Sequence, residues 1–382
     1  MVFLTVFLDL VGFGIVIPLL PLYAERFGAG PVAVTWLVAV YSLMQFLFAP
    51  WWGALSDRVG RRPVLLVGLF GSAASYLLFG LAGTLPVLFA ARALAGFMGA
   101  NVGVAQAYVA DVTAPEERAR GMGLVGAAFG LGFIFGPAIG GALSHFGPAA
   151  PFYGAGALAL ANGLFALAAL PESLPAERRA PVVKGGLGQR LRTLSAALRD
   201  PRLRPLFSAA FLATLALAAM EGTLSLWADR RWALTPAETA YLFAYVGGVA
   251  VLVHGFAVGR LARALGERRM ALVGALVLSA GLALLPLSPS LPVLGVALAA
   301  FAFGQGTVLP AVSALVSRGA SPGDQGRLLG VSQSLSALAR VAGPVGGGLV
   351  FAEVGIGAPY LLGAVLALAA LAVLATLPGG SP

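Results

Sequence analysis

The chain has 382 residues, 59% of them hydrophobic and 10% charged, with a mean hydropathy of +0.93. A soluble domain carries about 25% charged residues, so the composition excludes an ordinary soluble fold and defines a polytopic membrane protein. The absence of Cys excludes disulfides and thiolate metal sites, and two histidines, His145 and His254, exclude a His-rich metal centre.

A bilayer-spanning helix needs about 20 mostly apolar residues. On that rule the chain predicts an all-α fold of twelve spans, at 2–24, 34–53, 64–83, 86–110, 120–144, 150–170, 204–227, 238–258, 270–288, 291–316, 327–351 and 357–377. The N-terminus lies inside an apolar run interrupted by Asp9. It has neither a basic n-region nor a small-residue cleavage site, and reads as the first span, not as a secretory signal. Most connections are short. The long polar stretch from Pro171, rich in Arg, Pro and Gly, divides an N-terminal half (1–170) from a C-terminal half (204–382), with residues 171–203 as the linker.

The net charge of +9 suggests nucleic acid until its placement is counted. With the N-terminus inside, 19 of the 24 Lys and Arg residues fall in inside loops or the linker, 3 fall outside, and Arg92 and Arg340 lie within helices. That bias places both termini in the cytoplasm, and the positive charge is a topology signal without a nucleic-acid role. Trp51, Trp52, Trp227 and Trp232, at span ends, read as interfacial anchors.

The sequence repeats. Gly53 to Gly68 aligns with Gly259 to Gly274 at a shift of 206, and Gly136-Pro137-x-x-Gly140-Gly141 aligns with Gly343-Pro344-x-x-Gly347-Gly348 at a shift of 207. The chain is thus two copies of a six-helix unit.

Gly53-Ala-Leu-Ser-Asp57-Arg58-Val-Gly60-Arg61-Arg62-Pro63 joins the second and third spans. It closely resembles the signature loop of the major facilitator superfamily of secondary transporters. That resemblance implies two parallel halves with a substrate site between them near the midplane, a functional monomer, and a latch on the cytoplasmic side. Asp57 has Arg263 as its counterpart in the second repeat, which suggests a specific partner, with the N-terminus of the eleventh helix as one candidate. Asp111 and Glu116, below the fourth span, are candidates to hold Arg58, Arg61 or Arg62.

Asp9 opens D-x-x-G-x-G-x-x-x-P-x-x-P in the first span. A carboxylate at this depth is protonated or paired. It reads either as a proton-binding or substrate-facing group or as the structural partner of a buried Arg. The pattern is similar to the first helix of the drug/proton antiporter branch, which includes tetracycline efflux proteins. Arg92 in the fourth span resembles that family's R-x-x-x-G-x-x-x-A motif, whose Arg is implicated in proton transfer. Gly132-x-x-x-Gly136-Pro137-x-x-Gly140-Gly141 in the fifth span gives a smooth face for helix packing and as a whole resembles the superfamily's antiporter signature; its copy in the eleventh span leaves an architectural role open. Glu221 in the seventh span reads as a second proton carrier, as a binder of cationic drugs, or as half of an ion pair; Arg340 in the eleventh completes a balanced set of buried charges. Tyr41, Gln45, Asn101, Gln106, Asn162, Gln305 and Gln333 are candidates to line a cavity or to bond between helices.

No G-x-x-x-x-G-K-[ST] loop is present, which argues against direct ATP coupling, and nothing calls for a cofactor, a metal or an enzymatic triad. The reading is a proton-coupled antiporter that exports small amphipathic compounds or drugs, its partners being substrate, protons and the bilayer. The resemblance places it in a bacterial inner membrane. A sugar or organic-acid transporter is the alternative within the class, and a non-transporting receptor or scaffold the alternative outside it.

Overall fold

A computed structural model describes residues 1–113, 117–179, 199–318 and 325–377, and among them every regular element is helical. Ten helices are long and apolar enough to cross a membrane. One of these, Pro236–Leu287, is 52 residues long, or about 78 Å at 1.5 Å per residue against a hydrocarbon core of about 30 Å. It is two spans, and the chain turns between them at Gly266, whose φ is 74°. The apolar helix Val2–Val16 with Leu20–Glu25 supplies the first span. Twelve spans result, as the sequence predicts.

Among the described residues three spans are interrupted. The first breaks at Ile17–Leu19, where Pro18 lacks the N–H that would continue the helix. The fourth consists of Leu85–Met98 and Val102–Val112 joined by a 3-10 turn at Gly99–Asn101. The eighth, Pro236–Leu252, ends in a π-helical turn at Val253–Ala257. Each break frees carbonyls that lipid cannot satisfy. Side chains take up several of them: Ser225 Oγ donates to Pro18 O at 2.8 Å, Trp52 Nε1 to Phe97 O at 2.6 Å, and Gln45 Nε2 to Gly99 O at 3.1 Å. Trp52 and Trp227 are thus buried packing residues rather than interfacial anchors, whereas Trp51 is exposed.

The chain divides into two compact units. One comprises Met1–Lys184 with Ser225–Gly248, and the other Gly185–Leu224 with Val249–Pro382. The sequence places the division in the linker; in the structure Ser225–Gly248, from the C-terminal part of the seventh span into the eighth, groups with the first unit. The Ser225 bond, an Arg230–Glu25 ion pair at 3.0 Å and the close approach of Gly247 to the Phe133 carbonyl tie it there.

Within the first unit the first and fifth spans meet glycine on glycine. A Cβ on Gly14 would lie 2.6 Å from Gly132 O, and one on Gly136 would lie 2.6 Å from Gly14 Cα. In the second unit the seventh and eleventh spans repeat the arrangement, with Gly343 against Ala218 and Gly222 against Pro344. Gly136→Ala should lower stability by about 1–3 kcal/mol, because the clash is with backbone that cannot rotate away. Gly126→Ala, on the same helix with open space around it, should be neutral or stabilising by about 0.4–1 kcal/mol. Thermal unfolding in detergent compares the two.

Candidate functional site

The first candidate site lies inside the first unit. Asp9 is half-buried and lines a cavity of about 30 Å³ between the first, third, fourth and fifth spans, room for a water or two. Thr5 is the other polar side chain on its wall; Leu65, Leu69, Ala105 and Phe129 are among the apolar ones. On the same helix Phe13 stacks on Tyr41, with centroids 4.8 Å apart. The guanidinium of Arg92 sits 4.5 Å over the Tyr41 ring and 6.0 Å from Phe13, within cation–π range. Arg92 is 3% exposed, and its Nε and Nη1 have no partner among the described residues. Tyr76, from the third span, lies within Coulombic reach of Asp9, Tyr41 and Arg92. Among the described residues Arg92 therefore forms no ion pair; the rings of Tyr41 and Phe13 lie against it.

Gln45 also donates to Tyr41 Oη at 3.2 Å, which fixes the ring that carries Arg92. Asn162 is fully buried and donates to Thr5 O at 2.8 Å, tying the sixth span to the first. Gln106 is exposed. The side chain of Asn101 lies outside the described residues.

In the second unit, Glu221 and Arg340 are half-buried and close enough to interact electrostatically. Thr223, two residues on, donates to Ala219 O at 2.9 Å and lies 3.5 Å from Tyr360 Oη. Gln305 is half-buried and Gln333 exposed.

The signature loop forms a dense polar cluster. Arg61 bonds Asp57 and Ser56 through Nη1, each at 2.6 Å, and Asp111 through Nε at 3.1 Å. Asp57 thus has a partner within its own loop; the residues just before the eleventh helix lie outside the described ones. Arg58 is exposed, Gly53 has open space around it, and Glu116 lies outside the described residues. Sequence reasoning missed Glu172, which falls in the segment assigned to the linker. Its Oε1 accepts from the backbone N–H of Arg61 (2.8 Å), Ser173 (3.0 Å) and Leu174 (3.0 Å), and its Oε2 from that of Arg62 (3.2 Å). Glu172 therefore caps the third span, whose N-terminal N–H groups and dipole favour a carboxylate. Gly60 makes room for it: its φ is 108°, and a Cβ there would overlap Glu172 Oε2.

The repeat extends to these contacts, with one inversion. Gly60 and Gly266, 206 residues apart, both have positive φ. Arg62 Nη2 donates to Leu167 O at 2.6 Å, and its counterpart Arg268 to Ala375 O at 3.0 Å. Where the first repeat pairs Arg61 with Asp111, the second pairs Glu267 with Arg318 at 2.5 Å. The tie is retained with its charges exchanged.

Twelve spans in two repeats, with charged side chains held inside the bundles, define a multi-pass membrane transport protein. The chain belongs to the Major Facilitator Superfamily, whose model matches residues 2–263 and 231–381; it is a transporter of that family and not an enzyme. It is 35% identical to the tetracycline resistance protein, class E, of Escherichia coli, over 92% of this chain and 86% of that one. It is 33% identical to human major facilitator superfamily domain-containing protein 10, over 90% and 85%. The crystal structure of the human organic anion transporter MFSD10 (TETRAN) superposes with a TM-score of 0.75 at 32% identity, covering 98% of this chain and 97% of that one.

Glu172→Ala should cost about 0.5–2 kcal/mol, the range for losing an N-cap. Glu172→Gln, which keeps the oxygen that accepts three of the four bonds, should cost less. Thermal unfolding in detergent tests the order; an alanine variant as stable as the parent would remove Glu172 from the loop's support.

Proposed function

We propose that the chain is a proton-coupled antiporter that exports small amphipathic compounds or drugs by alternating access, as a monomer in a bacterial inner membrane with both termini cytoplasmic. The observation that carries the reading is Asp9: a carboxylate inside the first bundle, beside a water-sized cavity and within reach of Tyr76 near the partly unpartnered Arg92. An ionised, unpaired carboxylate inside a bilayer is costly. One that can take up and give back a proton changes the charge of this cluster by one unit in each cycle, and the two charge states favour different packings of the surrounding helices. The membrane potential adds about 2.3 kcal/mol per charge per 100 mV. The direction, export, is supported by the glycine seam between the first and fifth spans and by likeness to a tetracycline resistance protein.

A second reading, transport of organic anions, is favoured by the Glu221–Arg340 neighbourhood and by likeness to a human organic anion transporter. An arginine there could receive a single carboxylate, whereas a polyanion would need more basic residues than the spans supply.

Proteoliposomes with an acidic lumen separate the readings. The lumen should accumulate amphipathic drugs, a protonophore should stop it, and Asp9→Asn should abolish the gradient-driven flux. Unchanged coupling in that variant removes Asp9 from the mechanism. Movement of organic anions in place of drugs selects the second reading.

A further inference from the structure

Arg92, in the fourth span, is 3% exposed, and its Nε and Nη1 have no hydrogen-bond partner among the described residues. No carboxylate among those residues pairs with it. What covers the guanidinium is aromatic. It lies 4.5 Å over the Tyr41 ring and 6.0 Å from Phe13. Phe13 stacks on Tyr41 at 4.8 Å and meets Phe133 edge to face at 6.2 Å. The backbone holds this cluster together. A Cβ on Gly96, one turn after Arg92, would lie 2.5 Å from Tyr41 O, so the second span presses on the fourth at this level. Gln45 fixes the Tyr41 oxygen from the other end of the ring.

A guanidinium keeps its proton and only donates. A ring face offsets part of its desolvation, but it offers no acceptor in the plane of the N–H groups, and a buried donor left unmet costs stability. A ligand that brings an acceptor removes that cost, and a carboxylate is the acceptor that matches a planar, charged fork. Phe13, Tyr41 and Phe133 are each half-buried, so rotation of a ring about its side-chain bonds uncovers the guanidinium without moving the backbone. The same rings offer stacked and edge-to-face contacts to an aromatic ligand. Arg92 is the only cation among these residues, so the cluster matches one negative charge and leaves a second unanswered.

We propose that Arg92, Phe13, Tyr41 and Phe133 form a binding site for an aromatic monocarboxylate. The carboxylate accepts from Nε and Nη1 of Arg92, and the ligand's ring lies among the three side-chain rings. The proposal goes beyond the proton-coupled reading and needs no gradient. It is read by binding alone, so it can fail with that reading intact and can stand if that reading falls.

The test titrates the purified protein at neutral pH with 2-naphthoate and with 2-naphthamide, which has the same rings and no charge. The parent should bind the naphthoate about tenfold to a hundredfold more tightly, the range that corresponds to a hydrogen bond to a charged group. Arg92→Gln should bring the naphthoate down to the level of the amide. If that variant does not fold, Arg92→Lys carries the test; it keeps the charge without the planar fork and should lose most of the preference. Equal binding of acid and amide by the parent overturns the assignment. So does a preference that survives Arg92→Gln and disappears in Arg340→Gln, which would move the carboxylate to the second unit. Loss of both probes in a folded Arg92→Gln would mean a packing role and overturns it too.

Discussion

Hydrocarbon offers no hydrogen-bond partner, so any charge or freed backbone group inside a span must be answered from within the protein. Much of the molecule's polar architecture follows from that constraint. The first span breaks at Pro18, and Ser225 bonds the freed carbonyl. The fourth span breaks at Gly99–Asn101, and Trp52 and Gln45 bond carbonyls there. Where a side chain is charged, the answer is less complete. Arg92 lies on an aromatic ring with two nitrogens unpartnered among the described residues. A structural arginine gains stability from a full set of acceptors, because breaking or omitting one partner of a buried charge is expensive. An arginine left partly unanswered among aromatic rings is suited to a site whose partners change.

The basic face obeys a different economy. There water is near, and single exposed ion pairs contribute little, yet the signature loop concentrates its contacts on Arg61 and Glu172. Arg61 reaches Ser56, Asp57 and Asp111, and Glu172 collects four backbone N–H groups. Together they fix the turn between the second and third spans. The second repeat keeps the turn, its positive-φ glycine and the arginine-to-carbonyl bond, and exchanges the signs of the ion pair. What the two halves share is the geometry of the corner; which residue carries which charge is free to vary so long as the pair remains.

Much of this was legible in the sequence. Hydropathy marks all twelve spans, since lipid demands long apolar runs. The shift of 206 marks Gly60 and Gly266 as equivalent corners, and both have the positive φ that suits glycine. The glycines of the fifth span read as a packing face, and they form one. The rest was hidden for physical reasons. A Pro-Glu-Ser segment after a span reads as solvated linker, so Glu172 was passed over; the one available hint was an acid close to the end of the sixth span, within reach of an arginine-rich loop. Trp52 and Trp227 sit near span ends in sequence but inside the bundle in space, because position along a helix does not fix which face a ring occupies. Asp57 has a partner four residues on, across the break at Gly60, which the spacing of the loop does not reveal.

The central claim is that Asp9 carries the proton that is exchanged for substrate. It is tested most directly by following proton release from the purified protein in weakly buffered detergent as a panel of amphipathic drugs is added. The account predicts that a transported drug releases protons from the parent and none from Asp9→Asn, with drug binding retained. Equal release from both proteins, or drug binding to the parent with no release at all, would contradict it.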